Sequence, residues 1–139
     1  MIAKTLTLPI SCEAAFDLFT RRIDDWWPPD RRHLPAPSSL IALEPSGRFF
    51  ERAPDGREFD LGRVREFDPP LRLVLDFFVA TGADRPTEVE IRFAAVDGGS
   101  RISIAHRPTP ASAEIWPTQA ERYAQSWQAV LEALARSLD

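Results

Sequence analysis

TEVEIRFAAVDGGSRISIAHR, residues Thr87–Arg107, and TQAERYAQSWQAVLEALARSLD, residues Thr118–Asp139, change their apolar period within a short distance of each other. In the first stretch apolar and polar residues alternate on both sides of Asp97-Gly98-Gly99, the period of two that a half-buried strand requires. The divider is a hairpin signal. In the second, Tyr123, Trp127, Val130, Leu131, Leu134 and Leu138 recur at steps of three and four, with Glu121, Arg122, Gln125, Gln128, Glu132 and Arg136 on the opposite side. A long amphipathic helix after a hairpin must bury its apolar face against the sheet. Thr118 and Glu121 have capping-box spacing, which predicts a helix starting there.

Upstream, turn signals separate further extended segments: Ser39–Glu44, Gly47–Ala53, Glu58–Phe67 and Leu71–Val79, divided by Pro45-Ser46-Gly47, Pro54-Asp55-Gly56 and Asp68-Pro69-Pro70. No connector is long enough for a crossover helix, so the neighbours are antiparallel. The chain begins with a short strand, Ile2–Leu8, stopped by Pro9. Ser11 then caps a helix, or two short ones, carrying Glu13, Phe16, Phe19, Ile23 and Trp26 or Trp27, which ends at Pro28-Pro29. Four prolines make Pro28–Pro37 a loop. The expected class is α+β, with about seven antiparallel strands in a curved sheet, a short N-terminal helix pair and a long C-terminal helix over one face.

At 139 residues the chain has the size of one domain, expected to span 1–139. The net charge of −4 is spread along the chain and argues against nucleic acid as a partner. No segment has the length of a membrane span, and the N-terminus lacks a signal peptide's apolar region. One cysteine, Cys12, fits a reducing compartment, so a cytoplasmic location is expected. No Gly-rich phosphate loop, metal motif or nucleophile elbow is present, so neither cofactor nor metal is expected.

The element order, together with Trp26-Trp27-Pro28, Gly47-Arg48-Phe49-Phe50-Glu51-Arg52, Leu61-Gly62-Arg63-Val64, Asp68-Pro69-Pro70-Leu71-Arg72-Leu73, Thr87–Phe93 and Ala105-His106-Arg107, resembles the START-like or SRPBCC superfamily. Within it the chain is similar to the branch of homologues of the activator of the heat-shock-protein-90 ATPase. That resemblance implies a helix-grip (Bet v 1-like) fold, and it raises a co-chaperone role as one function. It also implies dimers, to which an exposed Trp26 or Trp27 would contribute. The branch often has Trp where Leu61 stands and Gly where Ser126 stands.

Alternation turns Phe59, Leu61, Leu73, Leu75, Phe77, Val79, Val89, Ile91, Phe93, Ala95, Ile102, Ile104 and His106 toward the helix. A cavity in that face would take a hydrophobic or aromatic molecule. Its expected lining is Trp26, Trp27, Glu51, Phe59, Leu61, Phe77, Ile91, Phe93, Ile104, His106, Tyr123 and Trp127, with His106, the Tyr123 hydroxyl and Glu51 as polar groups. The same aromatic side chains could instead fill the space. His106 is either a satisfied core imidazole or an acid–base group for isomerisation, dehydration or cyclisation. His33 reads as a solvated or loop-packing side chain, and Asp24-Asp25 and Arg31-Arg32 as solvated charges.

Overall fold

The computed structural model describes residues 1–34 and 39–139. Of the expected loop Pro28–Pro37, residues 35–37 lie outside the described residues. The elements are β1 (Ile2–Leu8), α1 (Cys12–Phe19), 3-10 turns at Ile23–Asp25 and Pro29–Arg31, β2 (Leu40–Leu43), β3 (Arg48–Arg52), β4 (Glu58–Asp68), β5 (Arg72–Phe77), β6 (Thr87–Val96), β7 (Gly99–Arg107) and α2 (Trp116–Arg136). They form the expected helix-grip arrangement. The seven strands are antiparallel in the order β1-β7-β6-β5-β4-β3-β2, so β2 to β7 meander and β1 pairs beside the last strand. Both helices cover the inner face, where Leu73, Leu75, Val89, Ile91, Ile102 and Ile104 are buried against Trp127, Leu131 and Leu134.

Ser11 caps α1 as expected, its hydroxyl accepting from the Ala14 N–H at 3.1 Å. The helix stops at Phe19, and the second member of the expected pair is the 3-10 turn Ile23–Asp25. Trp26 and Trp27 therefore follow a tight turn, and both are buried, each 6% exposed. Neither is therefore the exposed tryptophan that a dimer contact was expected to use. Trp26 donates its indole N–H to the Leu18 carbonyl at 2.7 Å and packs on Phe19.

The capping box is also corrected. α2 starts at Trp116, whose N–H is taken by the Ser112 carbonyl at 3.0 Å, and Ile115 supplies no side-chain cap. Pro117 in the first turn needs no donor there. Thr118 thus lies inside the helix.

Strand alternation fails where the ladder does. Phe49 faces Gly62 but Phe50 faces Asp60, so Leu61 is an extra residue bulged into the core. Phe59, opposite Glu51, is left at the rim, 37% exposed. Ala95, beyond the helices' cover, is exposed. At the bulge β4 and β5 approach closely: a Cβ on Gly62 would stand 2.3 Å from the Asp76 carbonyl oxygen. Gly62→Ala should therefore cost about 1–3 kcal/mol, the usual range for overpacking. Urea denaturation checks this; an unchanged midpoint would show that the two strands can separate at no cost.

Candidate functional site

A cavity of about 230 Å³ opens between α2, the adjoining ends of β4 and β5, and the segment 30–33. Trp27, Leu61, Phe77, Val79 and Tyr123 form its apolar wall, and Arg31, Gln119, Arg122 and Ser126 contribute to its polar part. Ala80, at the mouth, has a φ of 67°, a left-handed conformation costly for a residue with a Cβ. The four apolar residues Trp27, Leu61, Phe77 and Tyr123 belong to the expected lining. Ile91, Phe93 and Ile104 are instead sealed in the core between sheet and helices, and Trp26 packs under α1.

His106 lies behind the cavity wall with no exposed surface. The Trp127 indole N–H donates to its Nδ1 at 3.0 Å. That contact requires a lone pair on Nδ1, so the ring proton sits on Nε2 and is directed at Thr87 Oγ1, 2.7 Å away. The Thr87 hydroxyl in turn donates to the Phe77 carbonyl at 3.3 Å. Both nitrogens are engaged, and burial drives the imidazole down to about pKa 3, with the nearby N-terminal ammonium adding to the effect. A neutral ring with no free nitrogen and no route to solvent cannot exchange protons with a substrate. That geometry is what a satisfied core imidazole requires, and it gives no support to an acid–base role for His106.

The other two polar groups expected to meet a ligand are committed as well. Glu51 is fully buried, and its carboxylate accepts from the backbone N–H groups of His33 at 2.7 Å and Leu34 at 3.1 Å. It anchors the segment that forms one side of the cavity. The Tyr123 hydroxyl donates to the Val79 carbonyl, and burial raises its pKa. His33 stacks on Phe59, centroids 4.6 Å apart and planes 3° from parallel, which covers one face of that rim phenylalanine and leaves the rest exposed.

Two of the charges expected to be solvated form a clasp. Arg32 donates to Asp24 Oδ1 at 2.9 Å and to the Ser39 carbonyl at 2.7 Å, while Asp24 also accepts from the Ile41 N–H at 2.9 Å. Its neighbour Arg31 lines the cavity, and Arg31 Nε is buried without a hydrogen-bond partner among the described residues. Gln119, another lining residue, likewise has a buried and unpartnered atom, Oε1. Sequence reading missed these polar groups. Residue 119 is a single polar position on a mixed helix turn, and the pair Arg31-Arg32 gives no local sign of which guanidinium is engaged.

A larger open hollow of about 490 Å³ lies between α1 and the turns after β2 and β4, floored by Phe16, Leu43, Pro45, Phe67, Pro69 and Pro70. None of the buried unpartnered polar atoms lies there. Among the described residues no group of three His, Cys, Asp or Glu side chains could hold a metal, and no helix is long and apolar enough to cross a membrane.

The model of the family described as Activator of Hsp90 ATPase homolog 1-like protein matches residues 9–139. The chain belongs to that family. Comparison with curated proteins gave no match. Among solved structures, CalC from Micromonospora echinospora, described as a self-sacrificing resistance protein, is similar with a TM-score of 0.75 and 20% identity over 99% of this chain and 93% of its own. An anthrahydroquino-γ-pyrone synthase, Txn09, solved as a complex, is 31% identical over 79% of this chain and 80% of its own, with a TM-score of 0.56. Protein NE0264 from Nitrosomonas europaea shares 16% identity and a TM-score of 0.62 over 98% of this chain and 94% of its own. Within this family's fold, the chain places its cavity under the N-terminal half of α2.

His106 also sets a pH dependence. The folded state keeps the ring neutral down to about pH 3, while an unfolded histidine protonates below its ordinary value of 6.5. The unfolded state therefore binds the extra proton in between, and stability falls as pH drops, by up to about 1.4 kcal/mol per pH unit. The carboxylates that arginines hold low, Glu58 and Glu90 among them, lose stability in the same direction only at lower pH. Urea midpoints measured between pH 6.5 and 5 should decline in the native chain and flatten in His106→Gln. An equal decline in both would show that another group carries it.

Proposed function

We propose that the protein binds a hydrophobic or aromatic small molecule in the cavity beneath the start of α2, as a binding protein without a catalytic histidine. The supporting observation is the cavity itself: an apolar wall of Trp27, Leu61, Phe77 and Tyr123, with two lining residues, Arg31 and Gln119, that each have a buried polar atom without a partner. That combination is what small-molecule sites share, apolar area for affinity and sparse polar groups for orientation. An apolar cavity of about 150 Å³ takes a benzene ring, so 230 Å³ accommodates a compact molecule of more than one ring. The 31% identical relative is named as a synthase of an anthrahydroquino-γ-pyrone, an aromatic product, which is in keeping with an aromatic occupant here.

A thermal-shift panel of two-ring aromatics tests the reading. Binding to the folded state alone stabilises it, by about 2.7 kcal/mol at one hundred times Kd, so the melting temperature should rise. Ser126→Phe, which places a ring at the cavity from the half-buried face of α2, should abolish the shift while leaving the unliganded fold intact. A panel that shifts neither protein would overturn the proposal.

Chaperone activation is a second reading and rests on the family description alone. It predicts faster ATP hydrolysis by a heat-shock-protein-90 chaperone on adding this chain. An unchanged rate at saturation would remove it.

A further inference from the structure

We infer that the cavity's occupant is an aromatic carboxylate, its charge held at Arg31 and Arg122 and a ring hydroxyl directed at Gln119; this rests on the binding role proposed above. Arginines elsewhere in the molecule are largely engaged. Arg48 and Arg52 share Glu58, Arg72 and Arg107 share Glu90, and Arg32 is fixed on Asp24. Arg31 and Arg122 form no ion pair among the described residues, yet both line the cavity. Arg31 has in addition a buried Nε without a partner. A buried guanidinium N–H left unpaired is unfavourable, and native structures rarely keep one. A planar carboxylate matches its fork geometry.

Asp30 is the lining carboxylate, and against two guanidiniums it leaves one net positive charge at the mouth once Arg32 is counted with Asp24. This balance suits a monoanion and opposes a cation. A doubly charged phosphate would meet repulsion from Asp30. Gln119 Oε1 accepts and does not donate, so that atom, unlike the Nε2 of the same amide, cannot serve the carboxylate. It calls for a donor on the same molecule, such as a phenolic hydroxyl. The apolar wall takes the rings.

The probes are 2-naphthoate, 2-naphthamide and 6-hydroxy-2-naphthoate, whose hydroxyl lies too far from its own carboxylate to bond it, titrated calorimetrically into the full chain at neutral pH. The first two have the same rings and nearly the same shape but differ in charge. The naphthoate should bind about tenfold more tightly than the amide, as a charge-assisted pair allows, and added salt should weaken the naphthoate alone. The hydroxyl should tighten binding further, and Gln119→Leu should remove that gain. Arg31→Met and Arg122→Met, which keep apolar stems, should bring naphthoate and amide to equal affinity. Arg122 is exposed on α2, so its variant keeps the fold if Arg31→Met does not. Equal binding of naphthoate and amide to the native chain overturns this inference and leaves the binding role standing. Failure of every probe to bind overturns both. A hydroxyl that adds nothing overturns the part assigned to Gln119.

Discussion

The hydrogen-bond chain from Trp127 through His106 and Thr87 to the Phe77 carbonyl ties the closing helix to three consecutive strands of the sheet. Each donor points the same way along it, so one tautomer satisfies every link. The imidazole is neutral because the chain is buried, and the chain holds because the imidazole is neutral: a second ring proton would face the indole N–H. A protonated ring would also bury a charge without a counter-ion, which is strongly unfavourable. The rings around it fix the geometry further, with Phe77 edge-on to His106 at 5.4 Å and Tyr123 at 4.4 Å. Because Phe77 and Tyr123 are also cavity wall, the position of that wall depends on the same chain.

The two faces of the sheet solve different problems. Inside, aliphatic strand residues meet the helices and exclude water. Outside, the alternate positions carry opposite charges at cross-strand spacing: Glu90 on β6 meets Arg72 on β5 at 2.7 Å and Arg107 on β7 at 3.3 Å, and Arg65 on β4 meets Glu88 at 2.9 Å. Single exposed pairs are worth about 0–1 kcal/mol. Their larger consequence is that the outer face carries little apolar area. Where it does carry an aromatic, Phe50, the Arg48 and Arg52 guanidiniums lie over the ring at 4.0 and 5.0 Å and reduce its exposure to 1%.

The alternating run Thr87–Arg107 and the helical run beginning near Thr118 made the fold legible, since each period reports directly which face is buried. Period two correctly turned His106 inward, and helical spacing put Trp127 on the buried face of α2. That the two would bond was not readable, because the pairing depends on where α2 crosses the sheet. Alternation misled where its assumption of an unbroken ladder failed: the bulge at Leu61 shifts the register and leaves Phe59 at the rim. The helix start was misread for a related reason. Thr118 and Glu121 have the correct spacing, but the Ser112 turn before Trp116 had already begun the hydrogen bonding.

The cavity's polar character follows from how the segment 29–34 is held. Asp24 draws the Arg32 guanidinium to one side. The Trp27 indole donates to the Arg31 carbonyl at 3.4 Å, and Glu51 takes the two backbone N–H groups that follow. With the backbone fixed by three anchors, adjacent side chains on the 3-10 turn must diverge, so the inward clasp of Arg32 leaves Arg31 for the cavity. Glu51 and Asp24 thus shape the site without touching its interior. The groups most conspicuous in the sequence, a strand histidine and a buried glutamate, build the walls. Among the lining residues, the polar atoms left without partners belong to an arginine and a glutamine whose surroundings exist only after folding.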